Sequence, residues 1–166
     1  FYTDIYMVDD SVEGFFANPL GYKYFFNTSV NGDASSISVC LSSEPDTIDP
    51  ALNSAVDGAT LVSHLFAGLA KWGTDANGNL AIVADCATEL PEGVANEDGT
   101  ITYTYTLKED LKWSDGQALT AKDFEFAWKR AASAKLGADY GYMFEVVKGY
   151  GTETAAAATA VNLAVE

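Results

Sequence analysis

Apolar and polar residues alternate in several short stretches of this chain and recur at helical spacing in two others. Alternation is typical of strands, and apolar residues three and four positions apart are typical of helices with one buried face. These patterns predict strands at residues 37–41, 80–84 and 101–107. The last alternates threonine with larger apolar residues, which favours a half-buried antiparallel strand. The chain therefore has the pattern of a mixed α and β protein.

Two helices are predicted. Asp57 is placed to cap the first, over residues 57–69, and its apolar face consists of Leu61, Leu65, Phe66 and Leu69. The second begins at Thr120, which forms a capping-box variant with Asp123 in place of the usual glutamate. The buried stripe predicted for this second helix consists of Phe124, Ala127, Trp128 and Ala131.

The connecting stretches divide the chain further. Residues 1–30 form two extended segments around a turn at residues 17–21, and turns are also predicted at residues 75–79, 97–99 and 112–116. Residues 31–36 are small and polar, which is a linker composition and marks a junction. An aromatic cluster follows the second helix (Tyr140, Tyr142 and Phe144), and the alanine-rich tail ends in a strand at residues 161–165.

Composition limits the partners. The 166 residues, 48% of them hydrophobic, suit one domain that buries a core without a metal. The formal net charge of −15 argues against a nucleic-acid partner and against an anionic membrane surface, since both require clustered basic residues. No apolar run is long enough to span a bilayer, and the first residues do not have the pattern of a leader peptide.

The two cysteines, Cys40 and Cys86, leave two alternatives open. They form one disulfide in an oxidising compartment, or they are two inert buried thiols. Their spacing matches no zinc motif.

Residue patterns that carry catalysis are missing from the sequence. The chain has one histidine, His64, which lies in the first predicted helix. No sequence motif pairs it with a nucleophilic serine or cysteine. Phosphate-binding glycine loops are also missing, and the acidic residues between 89 and 98 flank turns. We therefore expect a binding protein and not an enzyme, with no catalytic residue, metal or cofactor.

Four segments carry a family resemblance: residues 43–51 with their Glu-Pro and Asp-Pro pairs, residues 64–69, residues 103–116 and residues 119–130. The last two contain the string Lys112-Trp113-Ser114-Asp115-Gly116 and then Thr120-Ala121-Lys122-Asp123-Phe124. In this order and spacing they resemble family 5 of the bacterial extracellular solute-binding proteins, the oligopeptide-binding components of ABC importers. The resemblance runs continuously over about residues 37–150.

Residues 1–30 resemble the far C-terminal end of the same family, although they come first here. The resemblance thus implies a circular permutation: residues 1–166 form a single excised lobe, residues 31–36 are the junction, and residues 37–166 resemble the N-terminal lobe. The family's second lobe is missing. Surface termini that lie close together make such a permutation physically reasonable.

The resemblance implies an α+β fold, namely lobe I of a type II periplasmic-binding-protein-like architecture with a mixed sheet, packed helices and an antiparallel subdomain. Relatives hold a short extended peptide between two lobes and deliver it to a membrane ABC permease. The parent protein is expected to be extracellular or periplasmic and lipid-anchored. No cofactor is implied.

By position, the resemblance places Ser54, Ala55 and Val56 beside the peptide backbone and Tyr140 in the cleft lining. Ser54 stands where some relatives carry an acidic contact residue. In the alternative interpretation Val56 only leads into a helix and Tyr140 is a core residue, and Trp113 and Trp128 are interpreted as packing residues.

The amino-terminal charge anchor for the peptide is expected on the missing lobe, so we predict weak or no peptide binding by this chain alone. The exposed lobe interface would then favour a homodimer.

Two other functions stay open. One is an engineered, circularly permuted and recombinant soluble domain without ligand, serving as a folding or evolution model or as a scaffold. The other is a lobe that binds another small solute, such as nickel, haem or an oligosaccharide. A single histidine and two methionines count against nickel and haem.

Overall fold

The computed structural model describes residues 7–18 and 21–151, which fall into two compact units, residues 1–66 and residues 67–166. The predicted junction at residues 31–36 lies inside the first unit, and its role as a junction stays a prediction. The predicted strand at residues 161–165 lies outside the described residues. So do residues 1–6 of the first predicted extended segment and residues 19–20 of the predicted turn.

The first unit begins with a long antiparallel hairpin. Strands β1 (Val12–Glu13) and β4 (Ser29–Val30) pair at its open end, and β2 (Phe16–Ala17) pairs with β3 (Lys23–Tyr24) near its turn. Asn18 closes that turn, because its Oδ1 accepts a hydrogen bond from the N–H of Tyr22 at 3.1 Å. The hairpin agrees with the two extended segments predicted from the sequence.

The hairpin is irregular in its middle, where residues 14–15 face the longer stretch 25–28. Gly14 has φ of +74°, and a Cβ there would lie 2.0 Å from the carbonyl oxygen of Asn27. A glycine is therefore required by both conformation and space. The extra residues turn the backbone of Phe25 out of the ladder, and the Tyr24 side chain beside it is the buried centre of this unit, 8% exposed.

Residues 31–36 are more ordered than their linker composition suggests. Asn31 and Gly32 both have positive φ, +52° and +77°, and Val30 and Asp33 exchange two backbone hydrogen bonds of 3.0 Å. Two consecutive residues with positive φ between such a pair form the tight turn that Asn-Gly sequences favour. The Asn-Gly step was the signal that the compositional interpretation passed over.

The prediction of a strand at residues 37–41 is wrong: these residues form no strand, and no strand of the described residues pairs with them. The expectation that residues 1–30 complete its sheet is wrong for the same reason, since the hairpin strands pair with each other. Alternation supplies a face to bury, but a strand also needs a partner ladder.

Helix α1 runs over Val56–Leu65, shorter than the predicted 57–69, and its N-cap is Ala55 and not Asp57. Asp57 lies in the first turn, where its carboxylate accepts a hydrogen bond from Ser43. The chain turns extended at Phe66, and Leu65 and Phe66 are exposed, so the predicted apolar face is only partly covered. Gly58 is the buried residue of this helix.

The second unit opens with a regular hairpin of β5 (Ala70–Thr74) and β6 (Leu80–Ala84), which confirms the strand predicted at residues 80–84. Its turn lies at residues 75–79 as predicted. The Asp75 carboxylate accepts hydrogen bonds from the side-chain amide of Asn79 and from the backbone N–H groups of Asn79 and Asn77. These bonds hold the pKa of Asp75 below its ordinary value.

The stretch predicted as one strand over residues 101–107 is interrupted. Strand β8 (Ile101–Thr102) pairs with β7 (Val94–Ala95), and Leu107 makes a separate bridge to Ala87. Ile101 and Tyr103 are exposed, whereas Tyr105 and Leu107 are half-buried, so the predicted half-buried face is present only in its second half. The core of the unit lies at Cys86 and fully buried Ala87, between the backbone of residues 68–69 and residues 106–108.

Helix α2 (Ala121–Ala132) begins at the predicted Thr120 cap, and the Thr120–Asp123 capping box is present. Its predicted stripe is half-buried apart from exposed Ala127. Trp128 packs on Phe144 with ring centroids 5.6 Å apart, which ties α2 to a 3-10 helix over Gly141–Phe144. The described elements confirm the α+β class, with two-stranded antiparallel sheets in place of the larger mixed sheet that was expected.

Candidate functional site

The loop before helix α1 is built from polar side chains that bind their own backbone. The Thr47 hydroxyl accepts from the N–H of Asp49 at 3.0 Å, and the Asp49 carboxylate accepts from the N–H of Ala51 at 2.9 Å. The Asp49 carbonyl accepts from the N–H of Asn53 at 2.9 Å. Short Asx and Ser/Thr turns of this kind fix a loop without a sheet or helix.

Asn53 connects this loop to the helix. Its Nδ2 donates to the carbonyl of Ala55 at 3.0 Å, and its Oδ1 lies where a Cβ on Gly58 would come within 1.9 Å. The absence of a side chain at Gly58 therefore lets the Asn53 amide lie against the helix. Asn53 in turn holds Ala55 in an extended conformation, with φ of −107° and ψ of 152°.

The predicted contact residues Ser54, Ala55 and Val56 lie together at the end of this loop, and all three are exposed. Val56 is the first residue of α1 and its side chain is 72% exposed. Among the described residues, no hydrogen bond is made to the N–H groups of Ser54, Ala55 or Val56. The segment is thus short and accessible, with Ala55 extended, Val56 in the first turn of α1, and free N–H donors.

Tyr140, the other predicted contact residue, belongs to the second unit. It caps the 3-10 helix, is 49% exposed, and its ring lies 6.2 Å from that of Tyr142. Gly141 is buried against the carbonyl of Ala131, with 2.9 Å left for a Cβ, so this turn packs closely on the end of α2. Half-exposed Tyr140 is not a core residue, and its place in a cleft shared with residues 54–56 stays a prediction.

Tyr142 belongs to the predicted aromatic cluster, but neither it nor Met143 was predicted as a site residue. Both are exposed on the same 3-10 turn as Tyr140. The signal available for them was the spacing Tyr140-Gly141-Tyr142, since a glycine between two tyrosines permits a tight turn with both rings outward. They enlarge the exposed aromatic surface around Tyr140.

Of the two tryptophans interpreted as packing residues, Trp128 packs on Phe144, and Trp113 is 43% exposed. The Asp123 carboxylate accepts from the N–H and hydroxyl of Thr120 at 2.7 and 2.8 Å. These hydrogen bonds from Thr120 lower the pKa of Asp123. The turn at residues 112–116 is closed by its own backbone, since the N–H of Gly116 donates to the Trp113 carbonyl at 2.9 Å.

Both ring nitrogens of His64 lie within hydrogen-bond distance of backbone groups. Its Nε2 accepts from the N–H of Phe25 at 2.9 Å, and its Nδ1 lies 2.6 Å from the carbonyl of Thr60. The imidazole is thus a packing group between α1 and the hairpin, in agreement with the expectation that this histidine is not a catalytic base.

The cysteines are free thiols in the described structure, and they match neither alternative in full. Cys86 is buried, 4% exposed, but Cys40 is exposed on the unpaired stretch 37–41. Burial, with a smaller contribution from the Asp85 carboxylate, raises the pKa of the Cys86 thiol. The disulfide between them is therefore absent from the structure.

These environments predict unequal thiol reactivity. With Ellman's reagent at mildly alkaline pH we expect Cys40 to react at least about tenfold faster than Cys86, because only thiolates react and Cys86 is both buried and harder to ionise. Cys40→Ser should remove the fast phase, and the matched Cys86→Ser should leave it. Two equal phases, or no reaction before a reductant is added, would contradict this assignment.

No helix of the described residues is long and apolar enough to cross a membrane. Residues 7–18 and 21–151 also contain no group of three or more histidine, cysteine or acidic side chains arranged to hold a metal ion.

In a comparison with known protein families, residues 81–162 match the family model described as bacterial extracellular solute-binding proteins, family 5 Middle. Over these residues the chain has the family 5 pattern. The matched residues include the Trp113 turn, helix α2 and the Tyr140 turn, so the family 5 pattern covers most of the second unit.

Relatives of known name extend the match. A dipeptide-binding protein of Lactococcus lactis is 44% identical over 45% of this chain and 12% of its own length. The oligopeptide-binding protein OppA of Bacillus subtilis is 29% identical over 75% of this chain and 23% of its own length. The chain described here thus spans less than a quarter of the length of each of these two relatives.

One solved structure is also similar: Haemophilus influenzae OppA in complex with the peptide RPPGFSPFR. It is 30% identical, covers 61% of this chain and 18% of its own, and superposes with a TM-score of 0.49. These family 5 relatives carry the names of binding proteins and not of enzymes, and some are named as periplasmic.

Proposed function

We propose that this chain is a peptide-binding portion of an ABC importer's solute-binding protein, with residues 54–56 as the segment that pairs with peptide backbone. The observation that carries the proposal is the exposed segment of Ser54, Ala55 and Val56, in which Ala55 is extended and the three N–H groups are free among the described residues. Relatives named as dipeptide-binding and oligopeptide-binding proteins support the ligand class.

Backbone pairing explains why such a site needs few side chains. An extended peptide adds to an extended edge through main-chain hydrogen bonds, which every peptide sequence can make. The small side chains of Ser54 and Ala55 leave that edge accessible. The exposed tyrosine at position 140 would supply an aromatic wall for peptide side chains.

The remainder of the parent protein enters the same proposal. We infer that a second lobe encloses the peptide, that a membrane ABC permease receives it, and that the parent acts outside the cytoplasm on a lipid anchor. The similarity of residues 1–30 to the family's C-terminal end supports a permuted lobe. A homodimer through the open lobe face is part of this proposal.

Binding by the chain alone should be weak. A clamp gains affinity by enclosing its ligand, and one side of the clamp gives only a few exposed hydrogen bonds of about 1 kcal/mol each. We expect a dissociation constant of about 1 mM for trialanine, titrated to about 10 mM and followed by amide NMR of the labelled chain. Sub-micromolar affinity in calorimetry would contradict this weak binding.

The binding segment is tested by removing one donor. Val56→Pro deletes a free N–H at the first position of a helix, where proline is well tolerated, and Ala55 already has the extended conformation that precedes proline. We expect trialanine to bind about fivefold more weakly to this variant, because one backbone hydrogen bond is lost.

The matched control is Val56→Ala, which removes the side chain and keeps the N–H. Trialanine should shift the amide signals of residues 54–56 in the unchanged chain and in Val56→Ala to the same extent. Equal affinities of the alanine and proline variants, or shifts confined to other residues, would overturn the role of this segment.

A further inference from the structure

The tie between helix α1 and the N-terminal hairpin passes through the chain's single histidine. A backbone N–H can only donate, so the bond from Phe25 to Nε2 of His64 requires Nε2 to be without a proton. The neutral ring then carries its proton on Nδ1 and donates it to the Thr60 carbonyl, 2.6 Å away. The Ser63 hydroxyl donates to the same carbonyl at 2.9 Å, which agrees with this tautomer.

Both ring nitrogens are thus committed in the neutral state and in one tautomer. A second proton has only Nε2 to occupy, where it would face the N–H of Phe25. Two donors facing each other cannot bond, so protonation breaks this link and leaves the Phe25 N–H without its acceptor.

The surroundings make the protonated state accessible within the folded chain. The imidazole lies against three aromatic rings of the hairpin, Phe26 at 4.6 Å, Phe25 at 5.4 Å and Tyr24 at 6.2 Å between centroids. Aromatic faces attract cations, so an imidazolium that has let go of Phe25 still has a favourable position against the rings.

Other titratable groups on the elements packed here do not share this behaviour. On β3 these are exposed Lys23 and buried Tyr24, and on α1 the carboxylate of Asp57 bonds Ser43, at the other end of the helix from His64. Lysine, tyrosine and aspartate side chains keep their charge between about pH 5 and pH 8, and histidine changes its charge in that range.

We propose that His64 is an acid-released latch: the neutral imidazole holds the irregular stretch 25–28 of the hairpin onto α1, and protonation lets that stretch go. The latch acts between parts of the first unit whose contact residues lie 39 positions apart in sequence. Mild acid would therefore loosen the hairpin from the helix that begins at Val56, the last residue of the segment 54–56, without unfolding the hairpin ladder itself.

The amide of Phe25 reports the latch directly. In hydrogen exchange by NMR, corrected for the intrinsic pH dependence of exchange, we expect its protection factor to fall by at least about tenfold between about pH 7.5 and about pH 5. The amide of Asn31, which donates to the Ser11 carbonyl in the ladder, should keep its protection over the same range.

Two variants separate the latch from general acid effects. His64→Gln retains an acceptor that does not titrate, so Phe25 should stay protected at both pH values. His64→Leu removes the acceptor, so Phe25 should be unprotected at both. If Phe25 in the unchanged chain keeps its protection at about pH 5, or if His64→Gln loses it as the unchanged chain does, the latch is refuted.

The tautomer gives a test that needs no variant. Long-range nitrogen–proton correlation spectra of the single imidazole at about pH 7.5 should show the proton on Nδ1 and an unprotonated Nε2. A proton on Nε2 at that pH would overturn the proposal, because the bond from Phe25 could not exist.

Discussion

Gly14→Ala is expected to destabilise the N-terminal hairpin by about 3 kcal/mol, the largest effect of any single methyl group in the first unit. An alanine with φ of +74° costs about 1–2 kcal/mol, since its Cβ crowds its own backbone. The same Cβ would lie 2.0 Å from the Asn27 carbonyl oxygen, so the two sides of the hairpin must separate at a further cost of about 1–3 kcal/mol.

The measurement has to report the first unit, and all three tryptophans lie in the second, at positions 72, 113 and 128. Hydrogen exchange of the Asn31 amide serves instead, and its protection should fall about a hundredfold. The matched control is Gly32→Ala, which has φ of +77° but no atom within 4 Å of the added Cβ. The control should cost about 1–2 kcal/mol, and equal losses in both variants would show that the contact with Asn27 has no energetic role.

Gly58→Ala should also destabilise, although the same change in an ordinary helix interior stabilises by about 1 kcal/mol. Here the added Cβ would come within 1.9 Å of the Asn53 Oδ1 and 2.8 Å of the Thr47 carbonyl oxygen. We expect a net loss of about 2 kcal/mol in the stability of α1, measured by exchange of its amides, because the loop must move off the helix.

The contact predicts a coupling between two positions. Asn53→Ala alone should cost about 1 kcal/mol through the lost bond to the Ala55 carbonyl. In the double variant, Gly58→Ala should cost at least about 1 kcal/mol less than it does in the presence of Asn53, since the closest overlap has been removed. Simple additivity of the two losses would contradict the idea that Gly58 exists to accommodate Asn53.

The elements that followed from sequence are those whose determinants are local. The capping box of Thr120 and Asp123 marks the start of α2, and the residues 75–79 form a turn through hydrogen bonds to Asp75 alone. Neither depends on a distant part of the chain. The motif around Trp113 likewise carries its own turn, since the N–H of Trp113 donates to the Gln117 carbonyl.

What the sequence missed depends on partners. Residues 37–41 alternate like a strand but lack a ladder among the described residues, and the apolar face of α1 is too little covered to extend the helix past Leu65. The site shows the same division. The exposure of residues 54–56 and the extended conformation of Ala55 are compatible with the family resemblance, but the role of Asn53 and Gly58 in shaping them appears only when the loop is folded against α1.

The hairpin of β1 to β4 also has a consequence for how the chain reaches its folded state. Its pairs join neighbouring stretches through one tight turn, so it can form within microseconds of the chain being available. The link from Phe25 to His64 closes a much longer loop, and the entropy of that closure must be met before any contact with α1 is gained. The hairpin should therefore be an early folding nucleus, and its docking on α1 a later event whose rate changes with loop length between residues 31 and 55.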